Sequence, residues 1–128
     1  MIRLEQISKV YRNGDNEVWA IKNVNLRIAA GEFVAVMGPS GSGKSTTMGI
    51  MGLLDRASSG HYFLNGRDVT TYSDAELAKI RNLELAFIFQ SFHLLPKLTA
   101  LENVELPLIY RGLPIKKRRA RAKEALEK

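Results

Sequence analysis

Three features of the sequence predict an α/β fold. Residues 33–37 (FVAVM) are apolar at every position, which suits a strand covered on both faces, as in a parallel sheet. The glycine-rich run GPSGSG follows at once, and residues 43–54 then place Met48, Ile50, Met51 and Leu54 at helical spacing. Residues 1–32, ahead of this strand, loop and helix, have antiparallel character. The expectation is therefore an N-terminal antiparallel β region leading into a parallel core.

Each element has its own signal. Residues 2–7 and 18–28 read as strands; in the second, Val24, Leu26 and Ile28 alternate with Asn25 and Arg27, as in a sheet wet on one face. Arg12-Asn13-Gly14-Asp15-Asn16 between them is turn chemistry. After the helix at 43–54, residues 55–60 turn the chain, and 62–64 form a short strand ending in the turn pair Asn65-Gly66. Ser73-Asp74-Ala75-Glu76 has capping-box spacing, and Leu77, Ile80 and Leu83 follow on one helical face. Residues 85–89 (LAFIF) repeat the all-apolar pattern and read as a second buried strand. Thr99-Ala100-Leu101-Glu102 opens another capped helix, which Pro107 should kink, and a basic helix runs from about Ile115 to the end. No repeat or low-complexity segment interrupts this order, so one continuous domain with short connections is expected.

Composition excludes several classes of function. At 45% hydrophobic and 25% charged residues the chain is ordinary globular material, neither disordered nor collagen-like. The longest apolar or glycine stretch, 48–54, is far short of the roughly 18 residues that cross a bilayer. Glu5 and Gln6 stand where a signal peptide needs its apolar core, so export is not expected. Without cysteine there is no disulfide or thiolate metal site, and His61 and His93, the two histidines, form no His-Glu-x-x-His pattern. The net charge of +6 is mostly a tail effect: residues 116–128 carry seven basic and two acidic side chains, whereas 1–115 are nearly neutral. A uniformly basic nucleic-acid-binding face is not what this distribution describes.

Gly38-Pro39-Ser40-Gly41-Ser42-Gly43-Lys44-Ser45 fits the G-x-x-x-x-G-K-[ST] phosphate-binding loop, in the strand-to-helix setting that the motif requires. Gly38, Gly41 and Gly43 permit backbone angles and close approaches that let several amides converge on phosphate oxygens. The helix start adds partial positive charge at the same point. Lys44 is placed to reach β and γ phosphates, and the Ser45 hydroxyl offers a hard oxygen to Mg2+. The absence of an Asn-Lys-x-Asp guanine-reading tetrad disfavours a GTPase.

With these residues in place, the whole chain resembles the ATP-binding domain of ABC transporters, in particular the branch of lipoprotein release and macrolide export. The resemblance implies a P-loop NTPase fold with an N-terminal antiparallel β subdomain, and ATP and Mg2+ as cofactors held by Gly38, Pro39, Ser40, Gly41, Ser42, Gly43, Lys44, Ser45 and Thr46. Tyr11 looks like the aromatic on which adenine stacks in that family. Gln90, directly after LAFIF and opening FQSFHLLPKLTALENV, looks like the Q-loop glutamine, which touches Mg2+ and the attacking water and relays nucleotide state to the membrane partner. Lys44 and Gln90 are thus the implied catalytic residues, and Ser45 and Gln90 the implied metal contacts. His93 reads as structural or interfacial, His61 as an exposed strand residue and Trp19 as packing.

The departure from the family is informative too. Nothing matches the Leu-Ser-Gly-Gly-Gln signature, the Walker B strand with its acidic general base, or the switch histidine, all of which lie downstream in that family. The chain looks like the first half of a nucleotide-binding domain: 1–32 antiparallel β, 33–90 P-loop core to Q-loop, 91–128 the start of the helical region. Nucleotide binding without turnover is the expectation, as is oligomerisation or marginal stability, because 33–37 and 85–89 lack their covering strands. The implied partners are a transmembrane permease and a second nucleotide-binding domain, and the implied location is the cytoplasm, peripheral to the inner face of the membrane. Two other readings use the run KKRRARAK: a nucleic-acid-associated ATPase of the same fold, and contact with an anionic membrane surface.

Overall fold

The computed structural model describes residues 1–128. In chain order it contains β1 (Ile2–Asn13), β2 (Asn16–Ile28), α1 (Lys44–Met51), β3 (Ser59–Leu64), β4 (Arg67–Asp68), α2 (Asp74–Glu84), α3 (Ala100–Tyr110) and α4 (Ile115–Leu126). Two compact units divide the chain, Met1–Ala78 and Lys79–Lys128.

The first unit is built on a four-stranded antiparallel sheet in the order β2-β1-β3-β4. The β1–β2 hairpin is longer than turn residues alone suggest. Pairing continues through Tyr11↔Val18 and Arg12↔Glu17 to Asn13↔Asn16, so only Gly14 and Asp15 make the turn. An exposed Arg12–Glu17 contact at 2.8 Å spans the ribbon near that end. Nearer the core, β1 slips register around Gln6 and β2 turns left-handed at Asn23, the features of bulges that bend a ladder. Asn65-Gly66 forms the expected turn between β3 and β4, both residues having positive φ.

The core of this unit gathers Leu4 and Ile7 of β1, Ile21 of β2, Ile50 and Met51 of α1, Leu53, and Tyr62 and Leu64 of β3. Tyr62 ties two elements together, since its phenol donates to the Met51 carbonyl at 2.6 Å. Burial pushes that phenol up to about 12, so it stays a donor at any physiological pH.

Two expectations are corrected here. Residues 33–37 and 85–89 belong to no strand, and the sheet is antiparallel throughout. A strand exists only through the ladder it joins, and no segment of this chain pairs with either run. Phe33 is 97% exposed and Ile88 103%. An all-apolar pattern reports the burial a segment is suited to, while the partner strand must come from elsewhere in the sequence.

The capping boxes form as read. Ser73 and Glu76 exchange backbone bonds at the start of α2, at 2.7 and 3.4 Å. In the second unit Thr99 and Glu102 do the same for α3, at 2.8 and 3.3 Å. Pro107 lies inside α3, whose helical run continues to Tyr110. Asn82 and Arg111 brace that end: the Asn82 amide donates to the Pro107 carbonyl at 2.9 Å, and Arg111 Nη2 donates to the Asn82 carbonyl at 2.6 Å. Residues 111–114, with Gly112 left-handed, reverse the chain into α4, which packs on α3. Between these helices sits Glu105, its side chain only 4% exposed, with Arg118 at 3.2 Å and Arg119 at 3.4 Å.

Two predictions follow from this packing. Tyr62→Phe removes the phenol and leaves the Met51 carbonyl unpaired, so the free energy of unfolding should fall by about 1 kcal/mol in urea denaturation; an unchanged midpoint and slope would contradict the assigned bond. The bare apolar runs should also drive concentration-dependent self-association in light scattering, reduced by Phe33→Lys or Ile88→Lys.

Candidate functional site

The glycine-rich loop joins residues 33–37 to α1 on the surface of the first unit. Its geometry is set at Gly43, the residue capping α1, which has φ 84°. A Cβ there would lie 2.4 Å from Ile21 Cγ2 and 2.7 Å from the Ala20 carbonyl oxygen of β2. Only glycine allows both the left-handed turn and that approach. At Gly38 a Cβ would meet only the Ser42 side chain, its Oγ at 2.7 Å, a contact that rotation of the serine relieves. Ser42 N–H closes the turn on the Pro39 carbonyl at 3.3 Å.

No side chain caps α1, so the free N–H groups of its first turn are left for another acceptor. Lys44 starts the helix and folds back across the loop, its ammonium donating to the carbonyls of Gly38 at 2.8 Å and Pro39 at 2.6 Å. Ser45, the next residue, is exposed, and Thr46 is half-buried. Thr47 is turned inward, with its hydroxyl on the Gly43 carbonyl at 3.0 Å. The helix mouth thus carries unpaired amides, one ammonium resting on neutral carbonyls and one free alcohol, which together suit a polyanion with an attached hard cation.

Tyr11 stands at the outer end of β1, directly across the ribbon from Val18. Its phenol donates to Asp55 Oδ2 at 2.7 Å, while Lys9 donates to Asp55 Oδ1 at 2.6 Å and to the Arg56 carbonyl at 2.8 Å. The Lys9 ammonium lies 4.9 Å from the Tyr11 ring centroid. The Asp55 carboxylate, by accepting the phenol hydrogen, raises the Tyr11 pKa, and a bond from Thr46 opposes it. Partial burial pushes the Asp55 carboxyl up, but the bonds from Lys9 and Tyr11 outweigh it and hold the group below the usual carboxylate range. This tie between β1 and the turn after α1 is therefore fully present above the usual carboxylate range and is lost as pH falls below it, through the lowered value.

The structure ties Tyr11 through Asp55 to the turn that follows α1, the helix into which the loop opens. Gln90 lies in the second unit, exposed, at a bend that follows residues 85–89. His93 nearby is left-handed and exposed, its Nδ1 2.8 Å from the Ser91 carbonyl oxygen. His61 is an exposed β3 residue, as expected, paired with Asp68 at 2.9 Å.

Sequence reasoning missed Lys9 and Asp55. Lys9 was within reach, because two residues before Tyr11 is the same strand face. Asp55 was not, because its position depends on Leu53, a left-handed leucine at φ 56° in the turn that ends α1.

The protein-family model for the ABC transporter matches residues 21–128, most of the chain. The chain belongs to the ABC transporter family. Its relatives place it on the ATP-binding side of that family. It is 57% identical, over its full length, to an uncharacterised ABC transporter ATP-binding protein of Bacillus subtilis, YvrO, and covers 56% of that protein. It is 52% identical over 95% of its length to the macrolide export ATP-binding/permease protein MacB of Brucella abortus, covering 19% of it. Among solved structures it superposes on the dimeric, ADP- and phosphate-bound post-hydrolysis state of the ATP-binding cassette MJ0796 with a TM-score of 0.88 and 47% identity, covering 99% of this chain and 56% of that one. The chain thus spans little more than half the length of the cassettes it matches. The nucleic-acid reading has no counterpart among these relatives, and no helix is long and apolar enough to cross a membrane.

Removing the carboxylate should free the phenol. In Asp55→Ala, one tyrosine is expected to ionise at lower pH than in the wild type when tyrosinate absorbance is followed through an alkaline titration, and the difference should vanish in a Tyr11→Phe background. Superimposable titrations of the two proteins would show that the phenol is not held by Asp55.

Proposed function

We propose that this chain supplies the N-terminal part of the nucleotide-binding domain of an ABC exporter, and that residues 38–46 hold the phosphates of Mg-ATP. The observation that carries this reading is the loop itself: left-handed Gly43 wedged against β2, an uncapped α1, and Lys44 poised over the loop rim. Family membership supports ATP as the anion. Residues 1–32 act as the antiparallel β region, 33–90 as the P-loop core to the Q-loop and 91–128 as the start of the helical region.

Each residue then has a role. The amides of Gly41, Gly43 and Lys44 donate to phosphate oxygens, with Pro39, Ser40 and Ser42 shaping the turn between them. Lys44 exchanges two neutral carbonyl acceptors for charged phosphate oxygens, a stronger bond for an ammonium. Ser45 and Gln90 are the proposed contacts of Mg2+, Thr46 follows Ser45 in α1, and Tyr11 is the platform for the adenine ring, with Val18 across the ribbon. When bound, Mg2+ supplies neutralisation of phosphate charge. The chain holds no residue that reads as a general base for water, so it binds nucleotide without turning it over. A permease and a second nucleotide-binding domain are the proposed partners, at the cytoplasmic face of the membrane; the dimeric cassette and the fused ATP-binding/permease relative support that assignment.

The test is calorimetric titration with Mg-ATP beside a phosphate-release assay. Binding should be measurable, phosphate release should equal background, and Lys44→Ala should weaken binding at least about tenfold, the scale of a lost charge-assisted bond or more. Unchanged affinity in Lys44→Ala, or tighter binding of a DNA duplex than of ATP at physiological salt, would overturn the reading.

A further inference from the structure

Tyr11 alone is a poor platform. Its ring is at the outer end of a two-stranded ribbon, close to the hairpin turn, where pairing ends two residues later at Asn13. A ring carried there on a free side chain would sample several rotamers, and stacking a base on it would cost that freedom. The structure removes the freedom in two ways. The Tyr11 hydroxyl is bonded to Asp55 at 2.7 Å, and the Lys9 ammonium, bonded to the other oxygen of the same carboxylate at 2.6 Å, also lies against the ring at 4.9 Å. Lys9 is held in turn by the Arg56 carbonyl at 2.8 Å, and Asp55 Oδ1 also accepts the Arg56 N–H at 2.7 Å, so the carboxylate cannot rotate away.

The turn that presents Asp55 is itself over-determined. Leu53 occupies a left-handed conformation that glycine normally fills, which costs roughly 1–2 kcal/mol for a residue with a side chain. It persists because the leucine is buried and because Leu54 N–H bonds back to the Gly49 carbonyl at 2.8 Å. Strain of this kind, maintained beside a binding loop, aims the next residues at a particular place. Here those residues are Asp55 and Arg56, and the place is Lys9 and Tyr11.

We propose that Asp55, together with Lys9, is the positioning residue of the base platform: it fixes the Tyr11 ring from the turn after α1, so that the loop holding the phosphates and the ring holding the base move as one piece. The proposal rests on the reading of Tyr11 as that platform. It assigns to Asp55 no contact with nucleotide and a specific consequence, that losing it weakens recognition of the base and leaves recognition of the phosphates alone.

The experiment compares equilibrium binding of Mg-ATP and of Mg-tripolyphosphate, which has the phosphates and no base, to the wild type and four variants. In Asp55→Ala the ATP affinity should fall about fivefold, the scale of one hydrogen bond, with tripolyphosphate affinity unchanged. Tyr11→Phe keeps the ring and deletes only the tether, and should reproduce that loss; the double variant Tyr11→Phe/Asp55→Ala should lose no more than either single change, because both cut the same contact. Tyr11→Ala should lose more. If Asp55→Ala and Tyr11→Phe keep the native ratio of ATP to tripolyphosphate affinity while Tyr11→Ala lowers it, the platform stands and Asp55 does not position it. Equal losses for both ligands in Asp55→Ala would reduce Asp55 to a structural residue. A native ratio in Tyr11→Ala would remove the platform and the proposal together. Should Asp55→Ala fail to fold, Tyr11→Phe decides alone, since its only change is the hydroxyl.

Discussion

The close approach of the loop to β2 at Gly43 is the constraint on which the rest of the site depends. A distance that admits no Cβ fixes where the loop ends, and a left-handed residue there turns the chain so that α1 begins with its amides outward and uncapped. Lys44 and Ser45 take their places because they are the first residues of that helix. The far end of α1 is anchored too, by the buried phenol of Tyr62 on the Met51 carbonyl, and the strained turn after it delivers Asp55 to β1. One short helix is thus held at both ends by side chains or backbone of the antiparallel sheet.

The charge distribution has a structural explanation that its count does not suggest. The basic run in α4 looks like a surface for a polyanion, yet Arg118 and Arg119 turn toward Glu105, which is almost completely removed from solvent. Part of the run is therefore spent inside the helical hairpin, holding α4 on α3. An isolated buried carboxylate is costly, and two arginines from the next helix offset that cost while fixing the register of the pair.

Local chemistry was legible in the sequence. The Asn65-Gly66 turn and both capping boxes each depend on residues within four positions of one another, and each formed where it was read, while the hairpin turn is confined to Gly14 and Asp15 within the segment read for it. The two all-apolar runs were misread as strands in place because their partners are not local: an apolar pattern names a destination, and only a ladder makes a strand. The role read for Tyr11 came from its resemblance to a family position, whereas the carboxylate that holds it gave no signal in the sequence. Forty-four positions separate them, and the contact exists only because of one left-handed leucine. For Gln90 the sequence names a role, and its bend in the second unit is consistent with an exposed residue without adding to that role.

The central claim is that main-chain amides at the mouth of α1 receive the phosphates. Amide chemical-shift mapping of the protein titrated with tripolyphosphate tests it most directly. The account predicts that the largest shifts, with a common saturation curve, fall on Gly41, Ser42, Gly43, Lys44 and Ser45. Shifts centred on Lys116, Lys117, Arg121 and Lys123 of α4, with the loop unmoved, would contradict it.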